Sequence, residues 1–495
     1  MERMSPRLGD ATLTQLPAEV TRPGYDRARL APRIIHLGLG AFFRAHGALY
    51  TEDVLAEQGG DWGIVGVSLR RPDQRDRLAP QDGLYTALER QQSGIAARVV
   101  GCLLDVRVAP EDPVAIVDRL AAPATAIVSL TITEKGYCHE PATGRLDLDH
   151  TDIRYDLAEL RRPRTAIGFL VAALARRRDA GLAPFTVLCC DNLPRNGPLL
   201  AGLVDEFAAQ HNPALADWIR REVAFPATMV DRIVPATTAE DSAAAERAIG
   251  LRDVSPVVHE PFRQWVIEDR FGAAGRPAWE RAGAELVTDV VPYEHLKLRF
   301  LNAAHSALAY LGLLAGHRTV AEAIADPGLD AFVAGLWREI AAVVTPPPGV
   351  VLAAYTQAVR GRFASPAIRH LLAQIAIDGS QKLPQRLLAT VEERRRHSLP
   401  VPCLALAVAA WIRHAGGRDD RGEALELHDP LAAELRRALA AGPLVAQLRA
   451  VLDIRAIFPP ALAQDDDFVA AVARSHETLM TGGVPAALRG ALAPI

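Results

Sequence analysis

With 495 residues, the chain is too long for one ordinary hydrophobic core, and two domains are expected. Hydrophobic residues make up 49% and charged residues 23%, a globular composition that excludes a disordered chain. A net charge of −4 leaves no basic footprint for nucleic acid.

The opening stretch MERMSPRLGDATLTQLPAEV lacks the apolar core of a signal peptide. No run approaches the ~18 apolar residues of a membrane span, so a cytoplasmic protein with no membrane partner is expected. Cys102, Cys138, Cys189, Cys190 and Cys403 contain no C-x-x-C pair. They read as buried small side chains, not as a disulfide framework or a zinc site, and no metal is expected.

Residues 1–32 read as an irregular lead-in. Arg33–Gly40, RIIHLGLG, is a short apolar run ending in glycines, and AFFRAHGALYTEDVLAEQ after it predicts a helix. Apolar runs recur at Trp62–Leu69, Arg98–Val106, Thr125–Thr133 and Phe185–Cys190, with helical stretches such as Ala166–Gly181 between the later ones. Continuous apolar strands alternating with helices predict a parallel sheet covered on both faces, a Rossmann-like doubly wound α/β domain. A helix at Gly197–Gln210 is followed by three further apolar segments, Phe225–Pro235, Val257–Asp269 and Glu285–Val291. From there to Ile495 the pattern is almost wholly helical, with loops expected at 345–350, 414–423 and 458–467. The expected division is a dinucleotide-binding domain with a sheet extension over 1–285, then a mostly α-helical substrate and catalytic domain over 286–495.

The loop Gly38-Leu-Gly40-Ala-Phe42-Phe43-Arg44 sits between the first strand and the first helix. Backbone N–H groups and a helix N-terminus meet a pyrophosphate at such a place. Gly38 permits the tight turn, Gly40 a close backbone approach, and Arg44 could supply phosphate charge. Phe43 replaces the third glycine of G-x-G-x-x-G, so the fingerprint is incomplete and a plain strand–turn–helix junction competes with it. Asp73, just past the second strand, is the candidate acid for ribose hydroxyls, which points to NAD. Arg70 and Arg71 beside it keep NADP open.

Tyr293–Gly316 predicts one largely apolar helix. At about 100° per residue, Glu294, Lys297, Asn302 and His305 fall within an arc of about 140° that also holds Leu298, Leu301 and Leu308. A lysine among leucines is costly unless its charge is paired or removed. Lys297 is therefore either a structural partner of Glu294 or a base near neutral pH.

Asn192 in CCDNLPRNG follows an apolar strand, where parallel sheets bind ligands, although Asp-Asn near a proline also suits a turn. In MVDR, Asp231 beside Arg232 reads as a structural ion pair or a ligand contact. DGSQKLPQR (378–386) reads as a turn-like polar segment carrying Lys382 and Arg386, or as a solvated loop.

These motifs, in this order, resemble the long-chain polyol and hexuronate dehydrogenases, the family of mannitol 2-dehydrogenase and fructuronate reductase. HLGxGxFxRAH, SLTxTExGYC, CCDN followed by NG, MVDRI, EPFxQWVxED, K-x4-N-x-x-H and DGSxKxP carry the likeness over nearly the whole chain. The resemblance implies a metal-independent, NAD(H)-dependent oxidoreductase that interconverts a secondary alcohol and a ketone on an open-chain sugar acid or polyol. It implies that Lys297 is the base, that Asn192 and Asn302 polarise the substrate oxygen, that His305 orients substrate and that Glu294 serves a proton path. Asp231 and Lys382 match substrate-contacting positions, while Gly38, Gly40, Phe42 and Arg44 fall in the cofactor motif. Asp73 matches the acid behind NAD preference, but Pro72 stands where another acid usually precedes it, which keeps NADP open.

TEKGY (133–137), Gln374 and QKLPQR depart from the mannitol dehydrogenase pattern towards fructuronate reductases. Arg386 suits a sugar-acid carboxylate. D-Fructuronate/D-mannonate is the expected substrate pair, with D-mannitol/D-fructose as the alternative. A non-catalytic nucleotide-binding sensor is the reading from a different class. Because the family includes monomers, a monomer or weak oligomer is expected.

Overall fold

The computed structural model describes residues 5–91, 93–140, 143–367 and 369–493. They form two compact units, one up to Val290 and one from Val291 onward.

In the first unit, five parallel strands form the main sheet: β1 (Ala31–Leu37), β2 (Trp62–Ser68), β5 (Leu103–Val108), β6 (Ile127–Leu130) and β9 (Thr186–Cys189), in the order β5-β2-β1-β6-β9. Ile35, Leu37, Val65, Val67, Val128 and Leu130 bury towards one side, and Ile34, Ile64 and Ile127 towards the other. Burial on both faces explains why these strands read as continuous apolar runs. Each such side chain contributes roughly 1.5–3 kcal/mol.

Two further three-stranded sheets complete the unit. β3 (Tyr85–Gln91) pairs antiparallel with β4 (Gly94–Val100) and parallel with β11 (Val257–His259). β10 (Thr228–Asp231), β12 (Gln264–Glu268) and β13 (Glu285–Val287) form the other, and β7 (His139–Glu140) with β8 (Arg145–Leu146) makes a small hairpin. The segments between 225 and 287 therefore do not extend the main sheet. Val257–Asp269 is split because Pro261 has no N–H to continue a ladder, so its halves join different sheets.

The expected strand at Arg98–Val106 is likewise two strands. The Glu52 carboxylate accepts from the N–H groups of Gly101 and Cys102, both at 2.9 Å, in place of a strand partner. The helix expected after Gly40 breaks at His46, with φ −131° and ψ −90°, into Ala41–Ala45 and Gly47–Gln58.

The second unit is helical around one apolar core built on Ala303–Leu314, Pro327–Ala341 and Pro402–Ala415. The helix expected over Tyr293–Gly316 is not uniform. An α-helical turn at Val291–Leu296 passes into a π-helix at Lys297–Asn302 before α-helix resumes at Ala303. An inserted residue turns later side chains by roughly 100° relative to a straight α-helix, so the 140° arc does not describe this face. The Phe300 carbonyl, within the widened stretch, accepts from Trp337 Nε1 at 2.9 Å.

DGSQKLPQR is not a solvated loop but helix: Gly379–Leu383 running into a second π-helix at Pro384–Leu388. Pro384 removes a backbone donor there, which a widened turn accommodates. Among the described residues, no helix is long and apolar enough to cross a membrane.

Candidate active site

At the carboxyl edge of the main sheet, β1 lies between β2 and β6, the position where such folds bind nucleotides. Gly38 has φ +89°, and a Cβ there would stand 2.2 Å from the Thr131 carbonyl oxygen, so only glycine fits. The turn is pinned from both sides. Gly38 donates its N–H to the Val67 carbonyl at 2.8 Å, and its carbonyl accepts from Thr131 Oγ1 at 3.0 Å. Beneath it, His36 bonds Ser129 Oγ (2.9 Å) and Thr131 Oγ1 (2.8 Å) and stacks on Phe43. Burial pushes this imidazole down to about 3, so it is a neutral strut. Phe43, where the fingerprint has glycine, thus fills the space over His36.

Phe42 is half-buried, and Asp73 is exposed just past β2, at the start of the helix Asp73–Leu78. Arg44, expected to offer phosphate charge, is instead buried. Its guanidinium donates to the Ser255 carbonyl and lies 5.1 Å from the Tyr85 ring, and burial lowers its pKa. It acts as a packing cation.

Asn192 is exposed in the loop after β9. That loop is fastened by its neighbour: Asp191 accepts from the N–H groups of Ile132 (2.8 Å) and Thr133 (3.2 Å) and from Tyr137 OH (2.7 Å). Asn196 then ties the loop to β10 through the Thr228 carbonyl and N–H, both at 2.9 Å. The ends of β1, β6 and β9 are therefore one hydrogen-bonded edge carrying Gly38 and Asn192. Asp231, 5% exposed, ends β10. Its neighbour Arg232 approaches Glu89 at 3.7 Å and donates to the carbonyls of Glu260 and Ala45.

In the helical unit, Glu294, Lys297, Asn302 and His305 are all buried, 6–7% exposed. His305 stacks on Phe363 at 4.4 Å and meets His370 edge-on at 5.1 Å. Burial, then the charges of His370, Arg362, Arg386 and Lys297, holds its pKa well below 6.5. The ring is neutral, and its Nε2 has no hydrogen-bond partner among the described residues. Arg386 Nη1 donates to Ser306 Oγ at 3.1 Å, next to His305 in sequence. Lys382 Nζ donates to the carbonyls of Ile375 (3.2 Å) and Ile377 (2.5 Å).

The two π-helical segments thus bring Lys297 and Arg386 within electrostatic reach of one histidine. Arg362, Phe363 and His370 belong to the same cluster and were missed from sequence. They lie at a helix end and in a loop, with no spacing that marks them.

A Rossmann-type parallel sheet with a glycine turn at its switch point, followed by a helical unit with buried polar side chains, is the build of a nucleotide-dependent oxidoreductase. Residues 32–281 match the mannitol dehydrogenase Rossmann domain, and residues 289–480 the mannitol dehydrogenase C-terminal domain. The chain belongs to the mannitol dehydrogenase family of oxidoreductases.

It is 43% identical to the D-mannonate oxidoreductase of Escherichia coli K12, over 94% of this chain and 96% of that one. It is 40% identical to the mannitol 2-dehydrogenase of Phaeosphaeria nodorum, over 97% and 85%. Pseudomonas fluorescens mannitol 2-dehydrogenase, solved as a ternary complex with NAD and D-mannitol, superposes with a TM-score of 0.92 at 39% identity, covering 98% of this chain and 99% of that one.

Proposed function

We propose that the chain is an NAD(H)-dependent dehydrogenase that interconverts a secondary alcohol and a ketone on an open-chain sugar acid, the D-mannonate/D-fructuronate pair. The observation that carries this reading is the buried cluster of the helical unit. There a neutral His305 with one open ring nitrogen stands among the charges of Lys297, Arg362 and Arg386.

The first unit's residues fit a dinucleotide. The Gly38 turn has no room for a side chain, whereas nothing lies closer than 3.8 Å to a Cβ on Gly40. Backbone approach to a phosphate is therefore open at Gly40, with Phe42 alongside and Asp73 free of the core to take ribose hydroxyls. NAD, when bound, supplies the hydride acceptor; NADP is the second choice.

In the oxidative direction Lys297 takes the hydroxyl proton. Asn302, and from the first unit Asn192, are assigned amide donors to the oxygen as it gains negative character. Glu294 passes the proton on to water. His305 orients a substrate hydroxyl through its open nitrogen, and Asp231 and Lys382 are assigned further substrate contacts. No step requires a metal, since the amide donors carry the electrostatic stabilisation. Arg386 is assigned the substrate carboxylate, the choice that favours a sugar acid. A monomer or weak oligomer working in the cytoplasm completes the proposal.

D-Mannitol/D-fructose is the second reading, favoured by the solved relative that holds NAD and D-mannitol. NADH oxidation with D-fructuronate and with D-fructose, side by side, separates the two. Arg386→Ala should raise KM for the uronate about 10- to 100-fold, the worth of a charge-assisted hydrogen bond, and change the ketohexose little. Equal effects on both would remove the carboxylate assignment. No turnover of either substrate, nor of other ketoses, would favour a nucleotide-binding sensor.

A further inference from the structure

We propose that the first unit carries a second ligand site, for a small oxyanion that also bears an O–H, in a cavity walled by Arg98, Arg232, Arg263 and His259. The cavity has a volume of about 360 Å³ and includes none of the residues assigned above to substrate or cofactor. It lies against β3, β4 and β11, the sheet that the dinucleotide site does not use.

Three guanidiniums (Arg98, Arg232, Arg263) line this wall with two carboxylates (Asp53, Glu89), and Glu52 and Glu260 also act on Arg98 and Arg232. Asp53 is shared, with one oxygen 2.7 Å from Arg98 and the other 2.6 Å from Arg263. The Arg232 side chain is 2% exposed, and Glu89 approaches it only to 3.7 Å. A desolvated guanidinium served mainly by carbonyl oxygens is stabilised by an added anion.

Two buried polar atoms on this wall, Arg98 Nε and His259 Nε2, have no hydrogen-bond partner among the described residues. Buried polar groups are rarely left so. Their chemistry is complementary. Arg98 Nε–H is a donor and needs an acceptor oxygen. His259 is 2% exposed, and its Nδ1 is 2.8 Å from the Glu260 carbonyl. A carbonyl only accepts, so Nδ1 carries the proton. Burial and the nearby Arg232 push the ring down to about 3, so it is neutral and Nε2 is a bare acceptor. A ligand that satisfies both presents an acceptor oxygen and a hydroxyl together, and beside the desolvated Arg232 guanidinium a short hydroxy acid or hydrogen phosphate supplies both with a charge.

Calorimetric titration of the full chain with inorganic phosphate, D-glycerate and sulfate tests this. Phosphate and glycerate should bind saturably, and sulfate, which has no O–H, about tenfold more weakly, the worth of one hydrogen bond at a buried acceptor. His259→Phe should bring all three to the sulfate level, whereas His259→Gln, which keeps an acceptor, should restore the preference. Arg98→Met should weaken all three. Binding by phosphate alone or by glycerate alone would name the source of the anion. Absence of saturable binding, or equal affinities in wild type, Arg98→Met and His259→Phe, would overturn the site.

Discussion

In the α/β unit the candidate groups sit on turns that follow strands, and each turn is held by hydrogen bonds to backbone groups: Gly38 by the Val67 carbonyl and the Thr131 hydroxyl, the Asn192 loop by the Asp191 carboxylate on the Ile132 N–H. In the helical unit the candidate groups stand on helix backbone, and what sets them is a widening of that backbone at Lys297–Asn302 and Pro384–Leu388. The difference teaches where precision comes from. A strand-end turn is shaped by one local glycine but pinned by partners far along the chain, Thr131 for Gly38 and Ile132 for Asp191. A π-helical stretch leaves the α-helical hydrogen-bond pattern, and the Phe300 carbonyl within it is matched by Trp337, 37 residues away. The first kind of site takes its glycine from its own loop and its fastening from neighbouring strand ends; the second depends on the helical core around it.

Four variants or conditions test this contrast, from the largest expected effect to the smallest. Lys297→Ala should lower kcat by about 10²–10⁴, the range for a lost general base, while NADH still binds to the other unit. Wild-type turnover in this variant, followed by NADH absorbance, would sink the base assignment.

Acid should strain both units in the same direction. Burial pushes His36 and His46 down to about 3 in the first unit, and His414 down to about 4 in the second. Below about 6.5 the unfolded chain takes up protons that these native rings refuse. Their stability contribution is therefore full above about 6.5 and is lost as pH falls through the window towards 4 and then 3. Each fully buried ring accounts for about 1.4 kcal/mol per pH unit in that window. Urea midpoints at pH 7.5 and pH 5 measure the loss, and equal midpoints would contradict the burial of these rings.

Gly38→Ala should cost about 2–4 kcal/mol, from the positive φ and the clash with the Thr131 carbonyl, and should abolish NADH binding. A variant that binds NADH normally would show that the turn is not the cofactor loop. Trp337→Phe removes one of the two donors to the Phe300 carbonyl, the other being the Ala303 N–H, at a cost of about 0.5–1.5 kcal/mol. If the widened backbone positions Lys297, kcat should fall with it while NADH binding stays, a split that separates positioning from plain destabilisation. Stability loss with kcat intact would confine Trp337 to the core.

Legibility in the sequence followed the same division. Four strands of the main sheet, β1, β2, β6 and β9, read correctly as apolar runs because most of their side chains are buried on both faces, and the glycine loop was placed because a strand, a glycine and a helix are adjacent in the chain. The split of Arg98–Val106 was not legible, since the carboxylate that interrupts it belongs to Glu52, about 50 residues earlier. Arg44 looked available for phosphate because its burial depends on Ser255 and Tyr85. Arg362, Phe363 and His370 carry no mark at all: their place beside His305 arises only when separate helices pack.

By itself, then, the sequence determined the order of elements, the turn chemistry and the residue types able to move a proton, because those depend on neighbours a few positions apart. The tertiary structure decided which strands share a sheet, where the helix after Tyr293 widens, and which histidines, His305 and His259 among them, are left with an open nitrogen. Those features arise from contacts between distant segments, where the partner that satisfies or denies a buried polar atom lies tens to hundreds of residues away.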